Sequence, residues 1–184
     1  MGVPISSRHL SITPFVENGA VGADVIALVI EGSFEPAIRD MNYLPHCLDE
    51  ARAREYCTNS DGIVLRLDGE PVGVTVVRRR VQAGEGVEVP PGCVELDEWV
   101  LPPYRGQGIL GRRGWPLITA WLAQRFELVI SVTWDYNHAA QALLRSRGYK
   151  WLGRSFWRDG EISGHCEVFL YELTQQQQQQ QQQP

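Results

Sequence analysis

The sequence predicts an α/β fold, and three observations carry that prediction. Residues 62–67, the tight turn Asp68-Gly69-Glu70 and residues 71–80 read as a β-hairpin, because Asp-Gly between apolar runs is a strong hairpin signal. Segments with helical apolar spacing alternate with extended runs along the chain. Finally, an extended run at 94–101 passes through Pro102-Pro103 and a glycine-rich turn into a segment with Leu110, Leu117, Ile118, Trp121 and Leu122 at helical spacing.

The elements follow in order. Residues 9–15 read as a first strand, ended by Pro14 and polar residues. Residues 23–30 continue as an apolar helix, and 48–57, rich in Ala, Arg and Glu, as a second one. Between them, 34–46 is long and rich in turn residues, and long loops tend to carry function. The hairpin comes next, then a loop at 82–92, the strand at 94–101, the turn and its helix. A strand at 128–134 precedes a helix at 137–147, with Asn137 suited to the N-cap and Gly148 to the C-cap. Residues 149–156 and 165–173 close the fold as an antiparallel pair. The glutamine tract at 175–183 has no apolar residue to bury. The expected organisation is one domain over 1–174 and a disordered polyglutamine tail over 175–184.

The chain has 184 residues, enough for one sizeable core. Its 43% hydrophobic and 21% charged content is that of an ordinary globular protein. A net charge of −5 argues against nucleic acid as a partner. Arg78-Arg79-Arg80 reads as a solvated strand end. The four cysteines (47, 57, 93 and 166) include no C-x-x-C pair, and the four histidines are scattered, which argues against a metal site. No charged-then-apolar leader and no apolar run of ~20 residues is present, so neither a signal peptide nor a membrane span is expected. Reduced thiols in a cytoplasmic protein follow as the expectation.

A strand feeding a glycine-rich turn that opens a helix is a phosphate cradle. The turn's N–H groups and the first unpaired N–H groups of the helix converge, and the helix dipole adds positive potential. Gly106 and Gly108 let the backbone approach a diphosphate, and Arg105 can add a charge-assisted contact. Residues 106–111 also spell G-x-G-x-x-G, the dinucleotide fingerprint. That fingerprint wants a near-continuously apolar strand before it, whereas this strand carries Glu95, Asp97 and Glu98. It also wants an acid at the end of the next strand, and Glu127 stands before that strand instead. A plain surface loop capping a helix is the bland alternative.

Arg105-x-x-Gly108-x-Leu110, following Trp99-Val100-Leu101-Pro102, resembles the acyl-CoA-binding motif of the GNAT acetyltransferase superfamily, Arg/Gln-x-x-Gly-x-Gly/Ala. Asn137-x-x-Ala140-x-x-Leu143, followed by Gly148-Tyr149, resembles the family's second helix block at the right distance from the first. The resemblance covers about residues 60–172. It implies a mixed, mostly antiparallel sheet flanked by helices on both faces, opening in a V beside the 94–101 strand. It implies acetyl-CoA as acyl donor and a primary amine as acceptor, on a small molecule or a protein N-terminus, with direct transfer in a ternary complex. A homodimer stays open. Trp99, Val100 and Leu101 would pair with the pantetheine arm, an N–H near Val100 polarising the thioester carbonyl. Arg105, Gly106, Gln107, Gly108, Ile109, Leu110 and Gly111 would hold the diphosphate, with Arg112 or Arg113 reaching a further phosphate. Asn137 would touch the cofactor arm, or serve only as an N-cap.

An amine must lose a proton to attack, so a carboxylate beside the arm is the general base sought. Glu98 is favoured, with Asp97 and Glu95 beside it; exposed strand carboxylates are the bland alternative. Glu98 shares a strand face with Leu96 and Val100, and Glu95 and Asp97 share the other with Trp99. The spacing Glu95-x-x-x-Trp99 resembles members acting on ribosomal-protein N-termini or antibiotics. Three departures stand out. Leu110 replaces a small residue, so a widened turn is expected. Pro116 either kinks the helix or falls in its first turn. Leu144 stands where many relatives have a proton-donating tyrosine, leaving Tyr136, His138, Tyr149 or water as substitutes. Transfer of another acyl group and a CoA-binding module without turnover are the remaining readings.

Overall fold

A computed structural model describes residues 7–38, 47–159 and 162–173. The expectations for the glutamine tail and for most of the 34–46 loop lie outside the described residues. The fold is α/β, with a seven-stranded, mostly antiparallel sheet flanked by helices. The strands are β1 (Leu10–Pro14), β4 (Asp61–Leu67), β5 (Glu70–Arg78), β6 (Val94–Val100), β7 (Leu128–Trp134), β8 (Lys150–Asp159) and β9 (Ile162–Glu172), in the order β1-β4-β5-β6-β7-β9-β8. β2 (Val16–Glu17) and β3 (Ala20–Val21) form a separate two-stranded ribbon. The helices are α1 (Ala23–Phe34), α2 (Glu50–Asn59), α3 (Trp115–Leu122) and α4 (His138–Ser146). The chain divides into two compact units, one of residues 1–77 and 97–118, the other of 78–96 and 119–184.

In the first unit, β1 and β4 pair antiparallel from Leu10↔Leu67 to Pro14↔Ile63, and β4 continues antiparallel into β5. Arg8 locks the β4–β5 turn, donating from Nε to Asp68 at 2.9 Å and from Nη2 to Glu70 at 2.8 Å. The core joins Val25, Ile26 and Val29 of α1, Ala53 and Cys57 of α2, and Val64, Val74, Val76 and Trp99 of the strands. α1 runs to Phe34, four residues beyond the apolar segment expected from sequence. Tertiary contacts carry it on. Gly32 lies under the Trp99 ring, where an added Cβ would fall 2.6 Å from Cη2, and the Ser33 hydroxyl donates to Ile30 and accepts from the Leu48 N–H. Asp49 caps α2 by accepting from the Arg52 N–H, worth about 1 kcal/mol. The β2–β3 ribbon was not expected. Its turn is Asn18-Gly19, with φ of 52° and 79°, the two positive values that an Asn-Gly hairpin turn requires.

In the second unit, β7 pairs parallel with β6 at Val94↔Val129 and Glu95↔Ile130, and antiparallel with β9 along its whole length. β8 and β9 form the expected hairpin, longer than the sequence alone implied. Ile130, Val168 and Leu170 pack with Ala83 and Cys93, so the loop before β6 is anchored in this core. Asn137 caps α4 through Ala140, and Gly148, with φ of 86°, ends it.

Pro116 occupies the second position of α3, in the first turn, where a missing N–H costs nothing. Pro116→Ala should therefore change stability by well under the ~3 kcal/mol of an interior proline. Chemical denaturation tests this, and a stabilisation of that size would contradict the placement.

Candidate acyl-CoA site

β6 is held where its backbone matters. Gly73 of β5 has no room for a side chain, because an added Cβ would lie 2.5 Å from the Trp99 carbonyl oxygen. The Leu101 N–H donates to the Val72 carbonyl at 2.9 Å, and the Leu101 carbonyl accepts from the Tyr104 N–H. Both main-chain groups of Leu101 thus make hydrogen bonds within the protein. Strand alternation turns the Val100 N–H away from β5. Trp99 is buried, and its indole N–H has no partner among the described residues.

The turn follows directly. Pro102–Tyr104 form one 3₁₀ turn, closed by the Arg105 N–H on the Pro102 carbonyl. Arg105 turns back, donating from Nε to the Val100 carbonyl at 3.3 Å and reaching Glu35 at 3.5 Å. It therefore braces the turn against the end of β6 and the end of α1. Gly106 and Gly108 both have φ of 70°, and an added Cβ at either would meet nothing within 4 Å. Their glycine requirement is conformational, and open space lies beside them. The N–H groups of Gly106, Gln107 and Gly108 donate to no backbone carbonyl among the described residues.

Beyond Gly108 the chain does not enter a regular helix at once. Ile109–Arg113 form a π turn closed by the Arg113 N–H on the Gly108 carbonyl at 3.1 Å, and the backbone is non-helical at Gly111. Regular α-helix begins only at Trp115. Gly114 makes the junction possible, since a Cβ there would fall 2.1 Å from the Ile109 carbonyl oxygen. Arg113 donates to the Arg8 carbonyl, whereas Arg112 is exposed.

The three carboxylates of β6 sit in different surroundings. Glu98, in the first unit, is half-buried and accepts from the Thr75 hydroxyl at 3.4 Å. Asp97 is buried in the same unit. Glu95, in the second unit, is 1% exposed and accepts from the Gln82 N–H at 2.6 Å. Burial pushes its carboxyl above the ordinary value of 4.5, opposed by the Gln82 N–H and the positive charge of Arg78. Sealed from solvent, Glu95 is the least able of the three to meet an incoming amine.

The second unit holds the remaining residues. Asn137 commits its side-chain oxygen to the Ala140 N–H at 3.2 Å as an N-cap. Leu144 is buried. Of the substitute proton donors, Tyr136 is exposed and stacks on Trp134 with centroids 6.1 Å apart, His138 is exposed, and Tyr149 is buried against Tyr171. Among the described residues no helix is long and apolar enough to cross a membrane.

The profile of the acetyltransferase (GNAT) family matches residues 32–149. RimL, a ribosomal L7/L12 alpha-N-protein acetyltransferase solved in complex with coenzyme A, superposes with a TM-score of 0.65 at 12% identity, over 92% of this chain and 96% of that one. A ribosomal-protein-alanine N-acetyltransferase from Brucella melitensis gives 0.63 at 19%, over 88% and 99%. An acetyltransferase of the GNAT family from Bacillus anthracis gives 0.67 at 12%, over 91% and 96%. No curated protein sequence matches the chain significantly.

A raised carboxyl pKa favours folding below the unfolded value of 4.5, and that contribution is lost as pH rises through the folded value. Glu95→Gln removes the ionisation. Stability of the variant relative to the parent should therefore improve as the pH rises above 4.5, as read from denaturant midpoints. A difference that is flat or moves the other way would contradict the assigned direction.

Proposed function

Because the chain belongs to the acetyltransferase (GNAT) family, we propose that it is an acetyl-CoA-dependent N-acetyltransferase acting on a primary amine. Residues 1–174 act as one catalytic domain, in the cytoplasm, on a small-molecule amine or a protein N-terminus. The observation that carries the reading is the turn at Gly106 and Gly108, with open space at both glycines and three N–H groups without a backbone acceptor among the described residues. Such a turn suits a diphosphate. The coenzyme A and ribosomal-protein substrates in the relatives' names support the same reading.

Acetyl-CoA supplies an acyl carbon activated by its thiolate leaving group. The N–H groups of residues 106–111 hold the diphosphate. Arg105 acts chiefly by keeping the turn in place, since its guanidinium is bonded to Val100 and Glu35. The Val100 N–H, turned away from β5, polarises the thioester carbonyl; Trp99 and Leu101 position it. The amine nitrogen bonds to the acyl carbon as the carbon–sulfur bond breaks. The proton leaves for Glu98, the most accessible of the strand's three carboxylates, with Asp97 and Glu95 as weaker choices. Leu144 has no proton to give, so water protonates the thiolate. Direct transfer needs no acyl-enzyme, and the three buried cysteines fit that: burial pushes the Cys57 thiol up to about 11 and raises Cys93, away from the reactive thiolate.

Thiol release from acetyl-CoA in the presence of an amine and peptide panel tests this. Glu98→Gln should lower the maximal rate about 10²-fold or more with little change in acetyl-CoA affinity. CoA binding without thiol release for any acceptor would leave a non-catalytic module. Release with a longer acyl-CoA in preference to acetyl-CoA would change the acyl group assigned. If the amide variants at Glu98, Asp97 and Glu95 all keep parental rates, no carboxylate of β6 is the base.

A further inference from the structure

The second unit contains a cavity of ≈480 Å³ lined by Gln82, Gly84, Glu85, Phe156, Trp157 and Arg158. Small-ligand sites span about 300–1,000 Å³, and this volume falls among them. The cavity opens where a strand edge is only partly covered. β8 is the last strand in the sheet order, and Glu85 meets its outer edge at Phe156 through two backbone hydrogen bonds, 2.9 and 3.0 Å long. Gly84 permits that approach, since an added Cβ would lie 2.7 Å from the Phe156 carbonyl oxygen and 3.2 Å from the Ser155 hydroxyl. Just before Gly84 the segment leaves the edge. Ala83 goes into the core, and the Gln82 N–H turns to Glu95.

Two opposite charges line this gap without meeting. Glu85 stands across from Phe156 and Arg158 on its diagonal, where cross-strand neighbours are rooted about 7–8 Å apart. The Arg158 guanidinium lies over the Phe156 ring, 5.7 Å from its centroid. Glu85 and Arg158 are both exposed, and neither is in an ion pair among the described residues. Phe156 directs its N–H and C=O outward to Glu85, so two residues on, Arg158 directs its own outward too. The Ser155 hydroxyl beside Gly84 is buried and has no partner among the described residues. Half-buried Phe156 and buried Trp157 supply apolar ring surface.

These groups select a molecule that carries both charges. A simple anion is repelled by Glu85 and a polyamine by Arg158, and an uncharged apolar molecule leaves the main-chain groups of Arg158 unsatisfied. We propose that the cavity binds a free α-amino acid with an apolar side chain, as its zwitterion. Arg158 holds the carboxylate through its guanidinium and its main-chain N–H, a charge-assisted arrangement. Glu85 holds the ammonium, and the side chain packs on Phe156 and Trp157. An ammonium paired with a carboxylate keeps its proton and is no nucleophile, so the amino acid is a bound ligand here and not an acyl acceptor. All the groups that hold it belong to the second unit. The inference goes beyond the acetyltransferase reading and does not rest on it.

Binding is measured by NMR titration of the full chain without CoA, following the Arg158 amide. The probes are L-phenylalanine, L-leucine and glycine, together with N-acetyl-L-phenylalanine, which lacks the ammonium, and L-phenylalaninamide, which lacks the carboxylate. Phenylalanine or leucine should shift the Arg158 amide saturably. Glycine, with no side chain to bury, should bind at least about tenfold more weakly. Loss of either charge from the ligand, Glu85→Gln or Arg158→Gln should each weaken binding about three- to fivefold, the range for an exposed ion pair, while the spectra show the fold retained. The proposal is overturned if neither apolar amino acid gives a saturable shift, if the acetylated and amidated forms bind as well as phenylalanine, or if glycine binds equally. Incubation with acetyl-CoA is scored separately. Phenylalanine should be recovered unmodified, and acetylation that disappears in Glu85→Gln would overturn its assignment as a ligand that is not the acceptor.

Discussion

The fit of Trp99 between two glycines fixes the part of the first unit on which the proposed chemistry depends. Gly32 lets α1 lie against the indole, and Gly73 lets β5 close on the Trp99 carbonyl. A side chain at either place would collide with an atom that cannot easily move, and overpacking of this kind costs roughly 1–3 kcal/mol. With Trp99 seated and the Leu101 N–H bound to Val72, the exit of β6 has one direction. Pro102-Pro103 and the brace from Arg105 then deliver the chain to Gly106 in a fixed orientation.

From that exit, local chemistry shapes the turn. Two left-handed glycines, one π turn and a glycine at the junction with α3 spread the N–H groups over more chain than a regular helix start would. The carboxylates of β6 divide by burial. Glu95 is sealed and anchors the loop at Gln82, which helps shape the cavity at Arg158, whereas Glu98 stays reachable.

Much of this was legible in the sequence, for definable reasons. β7 was read to the residue because its apolar run is bounded on both sides, and Asn137 and Gly148 marked α4 because caps have a local cause. Pro116 falls in the first turn of α3, one of the two placements its sequence context allows. The extension of α1 was not legible, because Gly32 and Ser33 weaken a helix until Trp99 and Leu48 pack on them. The β2–β3 ribbon had a local signal in Asn18-Gly19, obscured by strands only two residues long. The Leu101–Val72 and Arg105–Glu35 hydrogen bonds are tertiary, and no spacing reveals them. Glu85 and Arg158 lie 73 positions apart in the chain (158 − 85) and become neighbours only through the edge of β8.

The proposed chemistry depends on the turn as a diphosphate cradle. An NMR titration of the full chain with CoA tests this most directly, following the backbone amides of Gly106, Gln107 and Gly108, with Gly108→Trp as the comparison. Saturable downfield shifts at those three amides, lost in the variant while its far-UV spectrum is unchanged, are the predicted result. Unchanged amides in the parent, undiminished CoA affinity in Gly108→Trp, or tighter binding of a nicotinamide dinucleotide than of CoA would contradict it.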